Sequence, residues 1–179
     1  MGDLIGKSVK RVEDYRLLKG EGKYTDDFNM ANQTFAVYVR SPHAHANLVS
    51  IDISAAKAMD GVVNVFTGKD IKDAGIVGSI CGWQVDFKNG DTMKEPGHPI
   101  LVADKVRHVG DPVAMVIAED KYIAKDAVEA VLVDYEVLDA IVDPKAAAQD
   151  GAPQVHDDVP NNTIYDWELG NKDETDAAF

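Results

Sequence analysis

An α+β fold is what this sequence predicts, and three observations carry the prediction. Short runs of β-branched and aromatic residues recur along the chain, alternating in polarity or apolar throughout, as strands do. Two stretches change to helical spacing, each entered through a residue able to cap it. The runs follow one another as strands, short helix, strand, long irregular excursion, strands, longer helix and strand. That order lacks regular βαβ alternation and so predicts a mixed β-sheet with two main helices.

Residues 1–27 are rich in Gly, Lys and Asp and read as an extended N-terminal arm. Within it Leu17 and Leu18 are placed to anchor on a core, and GEGKYTDD makes a turn. The body, 28–150, opens with a strand at 34–40 (TFAVYVR). SPHAHA follows as a connection, because Pro42 bars a central-strand role. A second strand, 48–53, sets Val49, Ile51 and Ile53 on one apolar face. Ser54 then caps a short helix over 55–59, which Gly61 stops. Residues 62–66 form a third strand.

From 68 to 97 the pattern dissolves, and a stretch of this length outside regular structure is usually functional or docked on something. Strands resume at 100–102 and 106–109. The run 113–118 (VAMVIA) is apolar on both faces and reads as a buried central strand with Ala114 and Val116 in the core. Asp120 caps a helix over 121–130, with Ile123, Ala127 and Val128 at helical spacing. A strand over 131–137 and a helical turn within 141–148 complete the body. The tail, 151–179, carries Pro153, Pro160 and many acids and is expected to be irregular.

Composition excludes several classes of function. Eighteen basic against 31 acidic residues give a net charge of −13, which repels phosphate backbones and anionic lipid heads. Cys81 is the one cysteine, so this sequence holds neither an internal disulfide nor a four-thiolate zinc or iron–sulfur site. The first residues lack the apolar core of a secretion signal, and no apolar run approaches membrane-spanning length. A soluble, cytoplasmic protein without nucleic acid or membrane insertion is the expectation.

The short motifs each favour a structural reading. Gly6-Lys7-Ser8 lacks the first glycine of a phosphate-binding loop, and Gly20-x-Gly22 lacks the third glycine and the helix of a dinucleotide turn. His43-x-His45 offers two imidazoles on one extended segment. His98, His108 and His156 stand at no ligand spacing to them, so hydrogen-bonded turn histidines are the better reading. Asp104-Lys105-Val106 is similar to the lysine turn of a lipoyl carrier, and a plain charged hairpin explains it as well. Asp26/Asp27 and Asp157/Asp158 are sequence neighbours, which point to opposite faces of an extended chain and form no acid/base pair.

Four segments stand in order along the chain: IGKSVKRVEDYRLLKGEGKYTDD (5–27), YVRSPHAHANLVSIDISAAKAMDGVVNVFTGKD (38–70), LVADKVRHVGDPVAMVIAEDKYIAKDAVEAVLVDYEVLDAIVDP (101–144) and PQVHDDVPNN with the closing DAAF. Together they resemble the start of molybdenum hydroxylase large subunits, the xanthine dehydrogenase, aldehyde oxidase and carbon monoxide dehydrogenase large-chain family. The resemblance implies an α/β-hammerhead fold, related to barrel-sandwich hybrids. It also implies an oxidoreductase that uses molybdenum–molybdopterin in the full subunit, with [2Fe-2S] and FAD in partner subunits or domains.

In that family the residues that hold the pterin, and a glutamate base, lie in the domains after the hammerhead. The resemblance therefore carries no catalytic, cofactor-binding or metal residue onto this chain, and implies no cofactor bound by it alone. It implies a structural and docking role, packing against the molybdopterin-binding domains and helping to seat the iron–sulfur and FAD subunits. A free-standing accessory module sharing the fold is the alternative. Asp111 stands where the family often has glutamate, and the excursion over 71–97 follows no family pattern.

Overall fold

The computed structural model describes residues 4–179. The chain divides into two compact units, Met1–Gln33 and Thr34–Phe179. The first unit is less extended than its composition suggests. It contains a short helix, α1 (Asp14–Leu18), and a 3-10 turn over Thr25–Asp27. Leu18 is 88% exposed and anchors nothing. Leu17 instead lies against Gly22, where an added Cβ would fall 2.4 Å from the leucine side chain.

The second unit contains the strands β1 (Phe35–Arg40), β2 (Ala46–Asp52), β3 (Val62–Thr67), β4 (Lys105–Val106), β5 (Pro112–Ala118) and β6 (Leu132–Val137). Its helices are α2 (Ser54–Lys57), α3 (Gly68–Asp73), α4 (Lys121–Glu129), α5 (Pro144–Ala147) and α6 (Lys172–Ala178). The α+β class holds. Its sheet is realised as two three-stranded antiparallel sheets, ordered β1-β5-β3 and β4-β2-β6.

β5 is central, as its two apolar faces require, and Val113, Ala114, Val116 and Ala118 are buried. Val39 and Val65 from its neighbours join Ala46 and Val106 of the other sheet and Ala127 of α4 in a single core cluster. Burying each such valine contributes about 1.5–3 kcal/mol. α4 begins where Asp120 accepts hydrogen bonds from the Tyr122 and Ile123 N–H groups. Its deepest residues are Ala124 and Ala127, so small side chains let the helix lie close to the sheet.

Several local expectations give way to tertiary contacts. The alternating face of β2 breaks at a bulge between Leu48 and Ser50, which leaves Val49 60% exposed and turns Leu48 inward with Ile51. Ser54 is the first residue of α2 and not its cap, and its N–H donates to Asp52 instead. Of the strands expected at 100–102 and 106–109, only Val106 lies in one, the two-residue β4, while the Val102 N–H donates to the Pro112 carbonyl of β5. The excursion opens with α3, held by a reciprocal Thr67–Asp70 capping box. The tail is ordered too, with a 3-10 turn over Pro160–Asn162, helix α6, and Val159 buried.

Candidate functional site

The SPHAHA turn leaves β1 and immediately meets the loop that enters β5. The Ser41 N–H donates to the Asp111 carbonyl at 2.9 Å, the Gly110 N–H donates to the Ser41 carbonyl at 2.8 Å, and an Arg40 guanidinium N–H donates to the Gly110 carbonyl at 2.9 Å. Ser41 and Asp111 are both buried. The Asp111 carboxylate accepts the Arg107 N–H at 2.8 Å, and its other oxygen faces His108 Nε2 at 3.6 Å. The aspartate thus closes its own loop, a job for a short acidic side chain.

The two turn histidines serve different partners. His43 sets its ring edge-on to Tyr135 of β6, 5.0 Å between centroids. His45 is buried, and its Nδ1 lies 2.8 Å from the Asp139 carbonyl. Because a carbonyl only accepts, Nδ1 is the donor in this contact. Nε2 is buried without a hydrogen-bond partner among the described residues, beside a cavity of about 240 Å³ lined by His45, Arg107, His108, Ile141 and Val155. Burial also pushes the Tyr135 phenol above its usual range, against a smaller opposing effect of the Ser41 hydroxyl.

The tail folds back over this region. Lys105 pairs with Asp157 at 3.0 Å, and Arg107 donates through Nε to the Val155 carbonyl at 3.2 Å. The Lys105 side chain is only 18% exposed, so it is no carrier lysine held out on a hairpin. Lys105 holds the Asp157 carboxyl below the usual carboxylate range. Burial, and then the Arg107 charge, push His156 below the usual imidazole range. Nothing in the local sequence of the tail signals this docking, since its partners lie some fifty residues earlier.

His98 and His108 approach to 6.3 Å between ring centroids. Among the described residues no group of three or more His, Cys, Asp or Glu side chains is placed to hold a metal ion. Cys81 is exposed and donates to the Trp83 carbonyl at 2.9 Å. Two wider cavities, about 550 and 470 Å³, flank the excursion. No helix of the described residues is long and apolar enough to cross a membrane.

Two small antiparallel sheets joined through one core, with the 40–46 turn and the 107–112 loop closed on each other by hydrogen bonds, define an α+β domain. The chain belongs to the family described as aldehyde oxidase and xanthine dehydrogenase, a/b hammerhead domain, whose model matches residues 19–139. It is 37% identical to the carbon monoxide dehydrogenase large chain of Afipia carboxidovorans, over 98% of this chain and 22% of that one. It is 41% identical to the nicotine 6-hydroxylase large subunit of Paenarthrobacter nicotinovorans, over 89% and 19% respectively.

Among solved structures, reconstituted CO dehydrogenase from Oligotropha carboxidovorans superposes with a TM-score of 0.76 at 38% identity, covering 97% of this chain and 22% of that one. Other relatives are named as a molybdenum-binding subunit and as a subunit of a dehydrogenase complex. The chain spans about a fifth of the length of these relatives. With one cysteine, and with no three donor side chains grouped among the described residues, this chain's residues do not fit a molybdenum or iron–sulfur centre.

Proposed function

We propose that this chain is the N-terminal structural and docking domain of a cytoplasmic, molybdopterin-dependent hydroxylase or dehydrogenase large subunit, inactive by itself. The observation that carries this reading is where the distinctive residues go. The 40–46 turn and the 107–112 loop meet each other through main-chain hydrogen bonds and a buried carboxylate that closes its own loop. Such residues hold a frame, and electron transfer between separate centres depends on a frame that fixes their distances. The proposed division is an arm over 1–27, a hammerhead body over 28–150 and a tail over 151–179. The proposed partners are the molybdopterin-binding domains of the same subunit, an iron–sulfur subunit and an FAD subunit.

The test substitutes both His43 and His45 with Gln in the full-length subunit and measures turnover per bound molybdenum. Turnover per metal is expected to be preserved while assembly yield falls. A loss of a hundredfold in fully loaded enzyme, about 2.7 kcal/mol of transition-state stabilisation, would make the turn a catalytic element and overturn the reading.

A further inference from the structure

The excursion carries an uncharged stretch with large apolar side chains in solvent. Residues 74–85 (AGIVGSICGWQV) contain no charge, whereas at the chain's 27% of charged residues twelve positions would carry about three. Val77, Ile80 and Trp83 within it are 76%, 84% and 77% exposed. The stretch is tied down. The Ser79 N–H donates to the His98 carbonyl at 2.9 Å, and Gly78 sits so close to that carbonyl that an added Cβ would fall 1.8 Å from its oxygen. The second limb of the excursion is tied to the tail through Lys88 N–H to the Asp166 carbonyl and Lys94 N–H to the Ile164 carbonyl. Two cavities of about 550 and 470 Å³ adjoin the Gly78–His98 contact, and both are lined by it.

We infer that this uncharged window is a docking face, and that its occupant is the part of the same large subunit lying outside this chain. The inference rests on the proposed function. Large exposed apolar side chains held on a backbone-anchored segment mark a protein contact, not a solvated loop. The relatives supply the occupant, since about four fifths of their length lies outside the matched region. A second copy is disfavoured by charge, because each copy brings −13 and pairing the windows would press two acidic bodies together.

Cys81 lies inside the window and reports on it. N-ethylmaleimide labelling, read by mass spectrometry of the Cys81 peptide, compares the 179-residue chain with the full-length subunit. Labelling of Cys81 is expected to be at least tenfold slower in the full-length subunit. Ile80→Lys with Trp83→Lys is expected to leave the melting temperature of the 179-residue chain unchanged and to cut the yield of molybdenum-loaded full-length subunit several-fold. Equal labelling rates in a molybdenum-loaded, active subunit would overturn the docking face while leaving the proposed function standing. A full-length protein that holds no molybdopterin would overturn both. Protection of Cys81 in a dimer of the 179-residue chain would assign the face to a second copy instead.

Discussion

Val116 shows how a single position records the fold. It is fully buried in β5 between β1 and β3, so Val116→Asp places a charge where no partner reaches it. The expected loss is several kcal/mol, enough to unfold a domain whose whole stability is of order 5–15 kcal/mol. A chemical melt of the purified variant checks it, and an unchanged midpoint would remove Val116 from the core. His156 supplies a pH dependence. Its folded-state pKa lies below the ordinary 6.5, so the neutral ring is favoured in the fold. That contribution is fully present above pH 6.5 and is lost as the pH falls through the folded value. Thermal melts of the native chain are therefore expected to drop on acidification below pH 6.5, and His156→Gln is expected to flatten that part of the profile.

Among the elements, α4 is the best written. Asp120, one residue before the helix, accepts from the N–H groups of Tyr122 and Ile123 as its position suggests. Asp120→Ala is expected to destabilise the body by about 0.5–2 kcal/mol in urea titration, with an unchanged midpoint counting against the cap. The Thr67–Asp70 box of α3 was equally legible as T-x-x-D, yet the glycines and charges that follow hide a helix of only six residues. β2 is the contrary case. Its alternation is clean in the sequence, and the bulge at Val49 still turns Leu48 inward, because pairing with β6 outweighs the pattern. Gly78 belongs to this scale too. Gly78→Ala forces backbone against the His98 carbonyl, so hydrogen exchange over 76–98 is expected to speed up while β5 stays protected.

For the molecule as a whole, the prediction follows from its donor groups. The purified 179-residue chain is expected to carry no stoichiometric molybdenum or iron and no visible chromophore, because the sequence has one cysteine and, among the described residues, no three His, Cys, Asp or Glu side chains are grouped to hold a metal. Elemental analysis with an absorbance scan decides it, and a stoichiometric metal would break the argument. The sequence alone determined what depends on neighbours a few residues apart: the α+β class, the central apolar strand, the cap of α4, and the acidic charge that sets its solution behaviour. Its four ordered segments also sufficed for the family. Only the tertiary structure decided how the strands divide into two sheets, that the 40–46 turn closes on the 107–112 loop, that Asp111 is buried there, and that Lys105 reaches Asp157. The pairings behind them join residues some fifty to ninety positions apart. Periodicity and capping are short-range signals, and they carry no record of which distant backbone groups will satisfy one another once the core has formed.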